Sequence, residues 1–95
     1  MYRIKNIIDV KPYSILAEWN TGEKRLIDLE PVLKKATGVY ESIKDPAVFL
    51  ELQTNGKSIF WTGRAVMNDE NGKLIPCNLD FCADALYGWS TLVKE

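Results

Sequence analysis

Residues 13–19 alternate with period two. Tyr13, Ile15, Ala17 and Trp19 fall on one side, and Ser14, Leu16 and Glu18 on the other. That period is the signature of a strand with one face on a core. Before it, residues 3–10 mix Ile4, Ile7, Ile8 and Val10 with Arg3, Lys5, Asn6 and Asp9, a β-branched run that predicts a first strand broken by Lys11-Pro12. After it, Asn20-Thr21-Gly22-Glu23 reads as a turn and residues 24–29 as the return strand of a hairpin.

The period then changes. Pro31 suits the first position of a helix carrying Val32, Leu33 and Ala36 on one side, ended by Thr37-Gly38. Residues 39–43 suffice for one turn of helix. Asp45-Pro46 marks a second start, with Asp45 as cap and Val48, Phe49 and Leu52 on one face. Asn55-Gly56 predicts a type I′ turn that sets Thr54 against Lys57 and Leu52 against Ile59, with 57–61 as the outgoing strand. Asn71-Gly72 predicts another, with arms near 64–68 and 73–77 and Glu70 opposite Lys73. A last helix is expected from Asp80 to about Trp89, followed by a helical or frayed tail over 92–95.

The order β-β-β-α-α-β-β-α describes one α+β domain over residues 1–95: a small antiparallel sheet built from hairpins, with two or three short helices packed on it.

Composition mainly excludes. The 95 residues hold 12 Lys+Arg, 13 Asp+Glu, two Cys and no histidine. Without histidine, Ser-His-Asp and Cys-His catalysis and histidine-containing zinc sites cannot be assembled within the chain. Residues 1–44 carry eight basic and six acidic side chains (+2), and residues 45–95 carry four and seven (-3). So even a balance argues against the basic stripe that generic nucleic-acid binding needs. Residues 1–6 show no apolar leader pattern, and no apolar run reaches membrane-spanning length. The expected location is the cytoplasm, with no membrane contact and with Cys77 and Cys82 reduced.

The motif order resembles a known family. A hairpin ends in Asn20-Thr21-Gly22-Glu23 and leads to Asp28-Leu29-Glu30-Pro31-Val32-Leu33. Gly38-Val39-Tyr40, Asp45-Pro46-Ala47-Val48-Phe49 and the strand Ser58-Ile59-Phe60-Trp61 follow. The series closes on Leu79-Asp80-Phe81-Cys82-Ala83-Asp84-Ala85-Leu86-Tyr87. Over residues 3–88 this is similar to the bacterial domain of unknown function 2442. The chain departs from that pattern by inserting the hairpin around Asn71-Gly72 and by carrying Ala83 where the family often has proline. The resemblance implies a small α+β domain without an established activity. It also implies, for some members, a place beside a second small protein in a toxin–antitoxin-like pair.

Each candidate site has a plain structural counterpart. Asp80 and Asp84, four apart on the expected helix, can join Asp28 or Glu30 around a divalent ion, or serve as cap and first-turn acid. Cys77 and Cys82 supply too few ligands for zinc and read as buried or half-buried thiols. The stretch Asn68-Asp69-Glu70-Asn71-Gly72 fails as a calcium loop, since registering on Gly72 puts Met67 first and Asn78 twelfth. Of the aromatics, Trp19 and Phe60 are expected inside. Trp61, Tyr87 and Trp89 are expected at a partly exposed patch, and Arg64, Asp80 and Asp84 complete the interaction candidates.

The resulting expectation is a protein-interaction module without cofactor, metal or catalytic residues. It would bind a protein partner or a second copy of itself as a homodimer, in the antitoxin-like or regulatory role of a two-protein system. One alternative is a nucleic-acid-associated regulator acting through Arg3, Lys5, Lys24, Arg25, Lys34 and Lys35. The other is a metal-dependent enzyme.

Overall fold

Four turns decide how most of the strands pair. The computed structural model describes residues 1–93. Strand β1 (Ile4–Lys11) turns into β2 (Ser14–Trp19), which pairs antiparallel with β3 (Lys24–Asp28). Trp19 and Glu23 close the β2–β3 loop: the Trp19 N–H donates to the Glu23 carbonyl at 2.9 Å, with Gly22 at φ +87°. A three-residue loop ending in a left-handed residue needs glycine there, because a Cβ would clash with the following carbonyl.

Two short helices follow, α1 (Glu30–Lys35) and α2 (Pro46–Phe49), separated by a 3₁₀ segment, Gly38–Lys44. Each helix carries its proline in the first turn, and the Asp45 carboxylate accepts the Ala47 N–H at 2.9 Å, as the sequence suggested.

The second half differs from its expectation. Strand β4 (Gln53–Thr54) pairs with β5 (Ser58–Asn68), and β5 pairs with β6 (Leu74–Cys82). The expected 57–61 and 64–68 segments are thus one eleven-residue strand. Its register jumps between Trp61 and Ala65, where Gly63 sits at φ +71°.

Neither Asn-Gly pair forms the expected type I′ turn, which needs positive φ at both central residues. No non-glycine residue has positive φ among the described residues. At the first turn Thr54 pairs with Ile59, and Gly56, at φ +86°, is the first of two loop residues. Asn55 Oδ1 accepts the Lys57 and Ser58 N–H groups, each at 2.9 Å, and so holds Asn55 outside the loop. At the second turn Asp69, not Glu70, lies opposite Lys73. The Asp69 N–H donates to the Lys73 carbonyl at 2.9 Å, and Asp69 Oδ1 accepts the Asn71 and Lys73 N–H groups.

Helix α3 (Ala83–Gly88) begins three residues later than expected, because β6 continues through Cys82. The chain returns as β7 (Ser90–Leu92) beside β3; of the 92–95 tail, residues 94 and 95 lie outside the described residues.

The molecule is therefore α+β with two antiparallel sheets rather than one, ordered β1-β2-β3-β7 and β4-β5-β6. They share one core, with Ile15, Ala17, Trp19 and Ile27 from the first sheet and Ile59, Trp61, Leu79 and Phe81 from the second. Phe49 of α2 joins them. Its ring lies 5.3 Å from Tyr13 and 5.7 Å from Trp61, and its carbonyl accepts the Trp61 indole N–H at 3.0 Å. The loop at Gly56 ties the sheets a second time, since its carbonyl accepts the Ile4 N–H at 2.8 Å, while the Lys57 carbonyl accepts the Ala83 N–H at 2.8 Å and prolongs the β5–β6 ladder.

Candidate functional site: an aromatic groove

Phe81 is the hub of an aromatic cluster that reaches the surface. Its position on β6 puts it on the core face, since Phe81 pairs with Ile59 and Leu79 pairs with Trp61. Its ring lies 6.0 Å from Trp61 beneath, 5.5 Å from Tyr40 and 5.7 Å from Trp89. Edge-to-face and offset stacking at these distances hold rings in fixed orientations. Tyr40 arrives from the 3₁₀ segment, after Gly38 at φ +67° reverses the chain out of α1. Trp89 arrives at the end of α3, where its N–H donates to the Ala85 and Leu86 carbonyls.

With Val32, Lys35, Ala36 and Thr37 these rings line an open groove of about 380 Å³. Phe81 forms its floor, almost buried at 8% exposure, while Trp89 stands 41% exposed at its wall. Lys35 brings the one charge that lines it among the described residues. The lining offers flat apolar surface and a cation, which suits binding of an apolar side chain with an acidic neighbour. A second groove, about 300 Å³, lies among Tyr13, Leu33, Glu30, Lys34 and Lys44. Its charges are engaged: Lys34 with Glu30 at 3.6 Å, and Lys44 with Glu41 at 3.1 Å and with the Ala36 carbonyl.

The six interaction candidates do not form one patch. Trp89 lies in the groove. Trp61 is fully buried below it, a correction to its expected exposure, while Phe60, expected inside, is half-buried and faces Asp80 across the ladder. The available signal was the alternation within the strand itself, since Ile59 and Trp61 on the core face put Phe60 between them on the other. Asp80 itself is an exposed strand residue rather than a helix cap, so it and Asp84 do not share a helix face. Asp84 Oδ1 accepts the Tyr2 N–H at 2.9 Å and fastens the N-terminus to α3. Arg64 pairs with Glu51 at 2.9 Å.

Tyr87 belongs to a separate network. Its hydroxyl donates to Glu23 Oε1 at 2.6 Å, its ring stacks on Tyr2 at 3.6 Å, and the Arg25 guanidinium lies 4.2 Å from the ring centroid. Arg25 also bonds Glu23 at 2.9 Å and the Ser90 hydroxyl at 2.7 Å. The hydrogen bond to Glu23, with partial burial, pushes the Tyr87 phenol up to about 12, and the same bond is the main cause holding Glu23 below the usual carboxylate range. This network closes β3 onto α3 and engages one of the six basic residues considered for nucleic acid.

Cys77 is half-buried on β6 and Cys82 is exposed at its end, both free thiols. No cluster of three or more Cys, Asp or Glu converges among the described residues. Tyr40 and Phe81 were missed by sequence reasoning, since they lie far apart in the chain and no local spacing joins them.

The fold and groove thus define a small α+β protein with an aromatic surface site. No family model, no curated protein and no solved structure matches the chain.

Proposed function

We propose that this protein is a protein-interaction module whose aromatic groove receives an extended peptide segment of a partner. The observation that supports this most is Trp89, which stands 41% exposed at the wall of the groove, edge-on to Phe81. A rigid, part-exposed tryptophan over an aromatic floor is the kind of anchor that dominates interface energy, because it buries a large area at little entropic cost. Aromatic-lined grooves bind preformed extended segments such as proline-rich peptides, and Lys35 at the rim favours an acidic neighbour.

The test is selection from a random peptide library, followed by binding measurements on the enriched sequences. Enriched peptides shift the fluorescence of Trp89 and carry an apolar or proline residue flanked by an acid. Trp89→Ala and Tyr40→Ala lose at least about tenfold in affinity, or about 1.4 kcal/mol each. Peptides that bind the Trp89→Ala variant as tightly as the parent overturn the reading.

A further inference from the structure

A sheet ends in edges, and an edge carries backbone N–H and C=O groups that no neighbouring strand takes up. Of the four edge strands here, three are blunted. β4 has two residues and β7 three, and β1 breaks register against β2 twice. The flank of β5 beyond β4 is bent where Gly63 takes a positive φ and the register jumps. β6 differs. It runs nine residues, and the jump falls on its neighbour: β6 steps from Leu79 to Cys77 while β5 steps from Trp61 to Ala65.

The ladder fixes which groups of β6 are free. Ser58 pairs with Cys82, and the Ala83 N–H donates to the Lys57 carbonyl at 2.8 Å. In an antiparallel ladder that bond makes Ser58 and Cys82 a non-hydrogen-bonded pair. Cys77, Leu79 and Phe81 therefore turn their backbone groups towards β5, and Pro76, Asn78, Asp80 and Cys82 turn theirs outward. Pro76 has no N–H to offer, so the usable edge starts at Asn78. Asn78 and Asp80 each present a donor and an acceptor. Cys82 presents its N–H, since its carbonyl opens α3. All three residues are exposed, and these groups have no intramolecular partner among the described residues.

Such a row is matched by another extended backbone. We propose that the peptide received at the aromatic groove adds to the β4-β5-β6 sheet as a fourth strand, paired with β6 over Asn78–Cys82. This deepens the groove reading above and rests on it. Phe81 lies within that stretch and floors the groove. Cross-strand neighbours on one face of a sheet have Cβ atoms about 4.5–5.5 Å apart, so a peptide residue facing Phe81 enters the groove beside Tyr40 and Trp89.

The flanking peptide residues turn to the opposite face, where Asn78, Asp80 and Cys82 stand in water. The Asp80 carboxylate has no ion pair or hydrogen bond among the described residues, so the position facing it favours lysine or arginine. The recognised segment is thus an alternating strand, apolar towards Leu79 and Phe81 and basic beside Asp80. The same charge disfavours a second copy of this chain as the occupant. The two-fold register that uses Asn78, Asp80 and Cys82 together sets the two Asp80 side chains opposite each other, and like charges so placed destabilise a pair.

Amide hydrogen exchange of the full chain, read by NMR with and without peptide, is the test. The probe is a synthetic peptide alternating leucine and lysine, and its control is a peptide of the same composition with the two residues in blocks. In the free protein the Leu79 and Phe81 amides are expected to be protected, and those of Asn78, Asp80 and Cys82 to exchange freely. With the probe at about ten times its Kd, these three slow about tenfold, and the control leaves them unchanged. Asp80→Lys weakens the probe at least about threefold and favours a leucine–glutamate peptide instead. Three amides already slow in the free protein would place another segment or a second copy on the edge and overturn the proposal. So does a probe that leaves them unprotected at about 1 mM. If that probe still shifts the fluorescence of Trp89, the groove reading survives and strand addition does not. Protection undiminished in Trp89→Ala overturns the groove reading instead and moves the site to the edge alone.

Discussion

Replacing Trp61 by phenylalanine tests the packing beneath the aromatic groove. Trp61 has no exposed surface, and its indole N–H donates to the Phe49 carbonyl at 3.0 Å. Phenylalanine removes that donor and leaves roughly 40 Å³ unfilled, which at about 24 cal/mol per Å³ costs about 1 kcal/mol. The lost hydrogen bond adds about 1 kcal/mol. It adds no more than that, because the Phe49 carbonyl keeps the Leu52 N–H at 3.3 Å and is not orphaned. The total is about 2 kcal/mol. With a urea slope near 1 kcal/mol/M for a chain of this size, the midpoint falls by about 2 M while the slope stays unchanged. Phe60→Leu, on the half-buried outer face, is the control and costs clearly less. If Trp61→Phe costs under about 0.5 kcal/mol, or less than Phe60→Leu, the register that places Trp61 inside is refuted.

Gly56→Ala should destabilise by about 1–3 kcal/mol in the same urea assay, since φ +86° strains any side chain and the new Cβ would meet the Ile4 carbonyl oxygen at 3.3 Å. An unchanged midpoint would mean that this loop does not bind the two sheets as described. Tyr87 should ionise near pH 12 in a spectrophotometric titration, identified by its absence in Tyr87→Phe. Its pKa is raised on folding, so its contribution to stability is full below pH 10 and is lost as the pH climbs through 12. Glu23 is lowered, so its contribution is present above pH 4.5 and is lost as the pH falls through its depressed value. In Glu23→Gln the Tyr87 titration should move back towards 10; a titration that stays near 12 would assign the shift to burial instead.

Local rules carried much of the first half of the chain. The period-two run over 13–19 placed Ile15, Ala17 and Trp19 inside, and Asp45-Pro46 capped and started α2 where steric and hydrogen-bonding rules put it. Local rules failed at the Asn-Gly turns, where Asn55 and Asp69 use their side chains to hold backbone N–H groups, which moves the first loop by one residue and widens the second from two residues to three. They failed also at Asp80, which reads as a helix cap in isolation but stays in a strand because Phe60 pairs with it.

The residues alone thus determined the α+β class, the positions of the short helices and the absence of histidine chemistry, since each follows from neighbours a few positions apart or from composition. The division into two sheets, the burial of Trp61, the meeting of Tyr40, Phe81 and Trp89, and the free edge of β6 beside them were decided by tertiary structure. Each depends on which distant strand supplies the other half of a ladder, and no local period encodes that choice.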